Sequence, residues 1–299
     1  MSFLNPVNEP VLRFKSTDAD APQINYAART AGDVKAVLKA CLVTGYGAKA
    51  SAGWSIVNEV DHVAEFVSPS AAMSDYRLGI DDTSAANTTW YYQYQDVRTD
   101  TGLGTIDKNH SNIDKTSGKN GWELLATKQG LFFIEILDNS VINDLVARVV
   151  YFGRVKSGAI SDDGANISFL NVGYSSTSAD DFFRLPEKYY YKVGDYSADF
   201  EFSATNLANA QRVGDVVTPL VAIEVASSLY LYNGGFFVAE QPAILLADNN
   251  SATERYGVYD VLYQSRPALK VCLAYSSATE DAYQKYTRTI LIYLDYWEY

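Results

Sequence analysis

Hydrophobic positions in this chain follow two periods, and one of them occurs only once. Between residues 32 and 44, Val34, Val37, Leu38, Cys41 and Leu42 recur at i, i+3, i+4, i+7 and i+8, the spacing that lines up side chains on one stripe of an α-helix. Asp33 falls in the first turn, where a carboxylate complements the positive end of the helix dipole, and Gly45 follows as a residue free to take the left-handed geometry of a helix end. The spacing predicts a single amphipathic helix over 32–44.

Almost everything else reads as strand. SIVNEV, AEFVS, YRLGI, TWYYQYQ, LFFIEIL, ARVVYFGRV, LVAIEVA, SLYLY, GFFVAE, AILLA, YGVYDVLYQ, LKVCLAY and TRTILIYLDYW are rich in β-branched and aromatic residues, with Gly, Asn, Asp and Ser separating many of them. TILIYLDYW carries bulk on both faces, the pattern of a strand buried on both sides. Short helices are expected only around Val141–Leu145 and Ala278–Tyr286. The predicted fold is α+β, predominantly antiparallel β and sandwich-like, with one N-terminal amphipathic helix.

Two polar stretches interrupt the strands. Residues 98–121 have almost no apolar content and read as a long surface loop or an insertion with its own turns. The Ser- and Asp-rich stretch between Ser161 and Asp181 suggests a boundary, dividing the chain into β-rich domains 1–175 and 176–299. No period of 20 to 50 residues is visible, which argues against a solenoid or propeller.

Composition narrows the function classes. The 36 acidic residues against 24 basic ones give a net charge of −12, which repels phosphate backbones and anionic lipid. Nucleic acid and membrane are therefore not expected partners. No run of 18 apolar residues and no secretory leader is present, so synthesis in a cytosol is expected, with Cys41 and Cys272 as reduced thiols.

Catalytic and metal chemistry finds little footing. The turn GYGAK follows the predicted helix, whereas a phosphate-cradling loop precedes one, and Lys49 is not followed by Ser or Thr. With only His62 and His110, and no Gly-x-Ser-x-Gly elbow, a nucleophile–histidine–acid set has few components. The segment DKNHSNIDKTSG offers oxygens at Asp107, Asn109, Ser111 and Asp114, but an EF-hand needs Gly sixth and Glu twelfth, where Asn112 and Gly118 stand. Asp81 and Asp82, Asp162 and Asp163, and Asp180 and Asp181 read as turn residues. No catalytic residue, cofactor site or metal site is assigned.

Tyrosine is the compositional anomaly, with 23 copies clustered at 90–94, 189–191, 230–232 and 293–299. Aromatic rings with a polar handle are enriched where another chain or a sugar covers a surface, although they also line half-buried strands. Tyr293, Tyr296, Trp297 and Tyr299 are the first candidates for a subunit interface, with Trp90, Tyr91 and Tyr92 second.

One stretch carries a resemblance. Ser16, Asp18, Ala21 and Pro22, followed by Cys41-Leu42-Val43, Gly45-Tyr46-Gly47, Lys49 and Gly53-Trp54, resemble the opening of a family of tailed-bacteriophage virion structural proteins. YRLGIDDT, WELLATKQGLFFIEI, VVYFGRVKS and the closing strands are similar to later parts of that family, with Arg154 where it has Asp. The resemblance implies a non-enzymatic particle component made in the host cytoplasm, present in several symmetric copies among other virion proteins of the tail, neck or baseplate. The alternative is a host-recognition or glycan-binding module of a fibre or baseplate, holding a host surface glycan on the 98–121 loop and Tyr or Trp faces.

Overall fold

The computed structural model describes residues 7–94, 97–98, 105–109, 116–139, 144–154, 156–157, 167–173, 189–193, 196–200, 226–233, 236–248, 257–273 and 288–299. The chain opens with β1 (Asn8–Pro10) and β2 (Leu12–Lys15), then helix α1 (Asp33–Lys39), which runs on as one π turn over Ala40–Thr44. Next come β3 (Ser55–Val60), β4 (Val63–Val67), β5 (Tyr76–Asp81), β6 (Asn87–Tyr94), β7 (Val97–Arg98) and β8 (Thr105–Asn109). They are followed by β9 (Gly121–Ala126), β10 (Gly130–Asn139), β11 (Asp144–Arg154), β12 (Lys156–Ser157), β13 (Ile167–Gly173), β14 (Tyr189–Val193) and β15 (Tyr196–Phe200). The last are β16 (Ala226–Asn233), β17 (Phe236–Asp248), β18 (Gly257–Tyr263), β19 (Arg266–Leu273), β20 (Arg288–Tyr293) and β21 (Tyr296–Glu298). The protein is α+β and mainly antiparallel β, as its sequence predicts.

Three sheets stack. The middle one has the order β13-β11-β10-β9-β2; the helix-side sheet runs β3-β4-β5-β6-β7, with β8 also on β6; the C-terminal sheet runs β12-β17-β20-β19-β18, with β16 on β17. Alternation along the middle strands sends Phe133, Val150 and Phe152 into a core shared with α1 and the helix-side sheet. Phe132, Val149 and Tyr151 go into a second core with the C-terminal sheet. Both faces of the middle sheet are thus buried, which is why LFFIEIL and ARVVYF are apolar almost without interruption. Ile290, Leu291 and Ile292 on β20 are likewise all buried, matching the two-sided burial read from TILIYLDYW.

Residues on either side of 175 contribute to that second core, from Leu125 to Tyr299. The expected boundary itself falls outside the described residues. Two expectations for local structure change. Asp144 and Leu145 belong to β11, not a helix, because β11 continues its ladder with β10 as far as Asn139↔Asp144; the 278–286 helix lies outside the described residues. The polar stretch is not all loop: Thr105–Asn109 pairs with Tyr91–Asn87, since β6 has an edge left open by β5 and ladder bonds need no apolar side chain.

Candidate functional site

The helix, the GYGAK turn and the segment before them converge at one place. Gly45 (φ +76°) and Gly47 (φ +52°) take left-handed conformations, and Tyr46 and Lys49 exchange backbone hydrogen bonds of 3.1 and 2.8 Å across the turn. The turn carries Tyr46 and Lys49 to Asp18. The tyrosine hydroxyl donates to the Asp18 carboxylate at 2.7 Å, the Lys15 amide donates at 2.8 Å, and the Lys49 ammonium pairs with it. Lys49 also stands 5.7 Å from the centre of the buried Phe14 ring.

Electrostatics follow from that geometry. Partial burial pushes the Asp18 carboxyl up, but Lys49, Tyr46 and the Lys15 amide outweigh it and hold the group below the usual carboxylate range. Burial, and then the hydrogen bond it gives Asp18, push the Tyr46 phenol up. Cys41 faces the core, where burial raises its thiol well above the ordinary value; a buried neutral thiol is a poor nucleophile. The lysine that prompted comparison with a phosphate loop is therefore engaged by a carboxylate of its own chain.

Asp82 corrects a sequence expectation. Asp81 is the last residue of β5, paired with Val63 and Thr89, and its carboxylate accepts from the Thr83 amide and hydroxyl as the strand ends; Asp82, just beyond, is fully buried. Its carboxylate accepts from the Val34 amide at 2.8 Å and the Lys35 amide at 3.2 Å, pairs with Arg29, and accepts from the Thr88 hydroxyl at 3.0 Å. It caps α1 from just past the end of β5, because the helix's own N-terminal neighbour is Gly32, which has no side chain to do so. Burial is the strongest influence on its carboxyl and raises it, against the opposing pull of Arg29 and the helix amides. A signal was present in the sequence: Leu78, Ile80 and Asp82 share the inward parity of β5.

The proposed interface rings separate into two groups. Trp90 packs on Phe133 at 5.2 Å, and Tyr92 on Phe169 at 5.6 Å. Tyr91 is buried across Gly79, where any Cβ would collide with its ring. Trp297 meets Phe132 edge-on at 5.2 Å and donates its indole N–H to the Tyr293 carbonyl at 2.9 Å. Tyr299 is buried with its hydroxyl 2.9 Å from that of Thr127. These five rings are occupied by the chain's own packing, so no neighbouring subunit reaches them while the fold is intact. Tyr293 and Tyr296 remain half-exposed, clasping the Arg266 guanidinium at 3.7 and 4.0 Å, while Asp295 grips it with two hydrogen bonds of 2.8 and 2.6 Å.

The remaining candidates do not converge. His62 lies in the two-residue turn at the edge of β3 and β4, where Asp61 takes a positive φ that reverses the chain. Asp107 and Asn109 lie on β8, while His110, Ser111, Asn112, Asp114 and the acidic pairs at 162–163 and 180–181 fall outside the described residues. Among the described residues no group of three or more His, Cys, Asp or Glu is placed to hold a metal ion, and no helix is long and apolar enough to cross a membrane. No protein-family model matches the chain, and neither a characterised protein nor a solved structure matches it.

Proposed function

We propose that this chain is a non-enzymatic structural component of a tailed-bacteriophage particle, assembled with other virion proteins in the tail, neck or baseplate. The observation that carries the reading is how the 11–54 motif is spent. Asp18, Tyr46 and Lys49 bind one another, Cys41 and Leu42 are core, and Trp54 donates its indole N–H to the Thr127 carbonyl at 3.0 Å. The side chains that mark the resemblance are thus taken up within the fold, Asp18, Tyr46 and Lys49 in tying the turn to the end of β2 and Trp54 in reaching the middle sheet. Such a stretch works as architecture, and a protein built on it acts through shape and contact.

The chain is made in the host cytoplasm on this reading and ends in the virion. Mass spectrometry of gradient-purified particles, set against the unassembled lysate fraction, tests it. The expected result is enrichment of this chain in particles at a constant ratio to the other virion proteins. Its absence from particles that are otherwise complete would overturn the reading.

A further inference from the structure

Register in a β-sheet is ordinarily set by one apolar and one polar face, because a slip by one residue turns the apolar set towards water. The middle sheet lacks that signal. Leu131, Phe133 and Leu137 of β10 face the helix-side core while Phe132 and Ile134 face the second core. On β11, Val150 and Phe152 go one way and Ala147, Val149 and Tyr151 the other. A slip in either direction therefore exchanges apolar side chains for apolar side chains. The four residues between Asn139 and Asp144 do not decide the pairing either, since hairpin connections of about two to five residues are all common.

Within Leu131–Leu137 and Val146–Phe152 two residues alone carry charge, Glu135 and Arg148. They stand opposite one another in the ladder, and alternation with Phe133 and Val150 puts both on the helix-side face, where they are only 2% and 7% exposed. Cβ atoms so placed are about 4.5–5.5 Å apart. Tyr26 joins them from the segment before α1. Its hydroxyl lies 3.4 Å from the Glu135 carboxylate and donates to the Gly121 carbonyl on β9 at 3.2 Å. Burial and then the Glu135 charge push the Tyr26 phenol well up, against the opposing pull of Arg148 and Arg29, so these groups lie within one another's field.

A two-residue slip keeps every face but parts the charges. In one direction Glu135 comes to oppose Val146, and Arg148 to oppose Phe133; in the other Glu135 opposes Val150, and Arg148 opposes Leu137. A one-residue slip sends the two charges to opposite faces of the sheet, because opposed residues in an antiparallel pair share a face. Either leaves each charge buried against an apolar neighbour. Separating a buried ion pair is strongly unfavourable, whereas replacing both partners by apolar residues is often neutral or stabilising. The energetic consequence of the pair thus falls on the wrong pairings more than on the right one.

We propose that Glu135 and Arg148, with Tyr26 against them, form the conformational device that sets the register of the middle sheet. They select one pairing of β10 with β11 in a sheet whose two apolar faces would accept several, and they supply selection in place of net stability. This role is independent of the particle reading and stands or falls apart from it.

Cross-strand nuclear Overhauser contacts in the isotope-labelled full chain read the register directly. The unmodified chain should show Leu131 beside Phe152 and no second set. The double variant Glu135→Leu/Arg148→Leu is expected to stay folded, with a melting temperature equal or higher. It should gain a second set of signals that place Leu131 beside Val150 or Phe133 beside Phe152, the slipped population rising at least about ten-fold, from under about 1% to about 10% or more. The exchanged variant Glu135→Arg/Arg148→Glu restores opposite charges across the ladder and should show the Leu131–Phe152 contact alone. A double variant that keeps only the native contacts would overturn the proposal. So would one that no longer folds, because the charges would then be supplying stability and not selection, and so would an exchanged variant that slips as freely as the apolar one.

Discussion

Replacing Trp297 by alanine separates packing within the chain from packing between chains. The indole is fully buried, edge-on to Phe132, 6.4 Å from the Tyr151 ring, and hydrogen-bonded to the Tyr293 carbonyl. Truncating a buried tryptophan to alanine costs about 3–5 kcal/mol through lost transfer energy and the cavity left behind. Of that, about 1 kcal/mol belongs to the hydrogen bond and a similar amount, about 0.5–1.5 kcal/mol, to the edge-to-face contact. Loss of the ring also loosens β21 from β1, whose register places Trp297 opposite Glu9. Urea unfolding of the dilute chain, below any concentration at which it assembles, should show that loss, with the melting temperature falling by on the order of 10 °C. Trp297→Phe keeps a ring beside Phe132 and loses only about 1–2 kcal/mol, and Tyr296→Ala, at a half-exposed ring on Arg266, about 0.5–1 kcal/mol. If Trp297→Ala unfolds like the unmodified chain but no longer assembles, the ring belongs to an interface between subunits and the packing described above is wrong.

Three further outcomes are expected. Asp82→Ala leaves the Val34 and Lys35 amides without their acceptor and strands the buried Arg29, so it should destabilise by about 3–5 kcal/mol, with Asp82→Asn milder; equal, small losses in urea melts of the two variants would contradict the remote cap. Gly45→Ala places a methyl 2.5 Å from the Lys49 carbonyl at a φ of +76°, so a loss of about 1–3 kcal/mol is expected by thermal melting; an unchanged melting temperature would mean the turn is shaped otherwise. Asp18 is held below the usual carboxylate range in the folded chain, so its contribution is present above the unfolded pKa of about 4 and is lost as the pH falls through the folded value. Melts from pH 6 down to about pH 2.5 should thus fall more steeply for the unmodified chain than for Asp18→Asn, and parallel curves would refute the Asp18–Lys49 link.

What could be read from the sequence was whatever repeats at short range. The stripe of Val34, Val37, Leu38, Cys41 and Leu42 carries its own period, and the structure places that helix where the spacing predicts. The predominance of strands followed from β-branched and aromatic runs. Which strands become neighbours did not, because β2 reaches β9 across more than a hundred residues, as in Arg13↔Leu125, and no local pattern encodes that pairing. The aromatic clusters were visible but ambiguous: the same Tyr and Trp composition suits a core and an interface, and only the stacking order of the sheets puts Trp90 and Trp297 inside while leaving Tyr293 and Tyr296 half outside. Asp82 was misjudged because an Asp-Asp pair resembles a turn, although its parity with Leu78 and Ile80 points inward.

On the function proposed, this chain is a fixed part of an assembled particle and acts through shape and contact. A cryo-electron microscopy map of intact particles tests it most directly. The account predicts density for three stacked antiparallel sheets with one helix against them, repeated at a fixed, symmetric number of positions in the tail, neck or baseplate. A well-resolved map of complete particles in which every density belongs to other chains would contradict it.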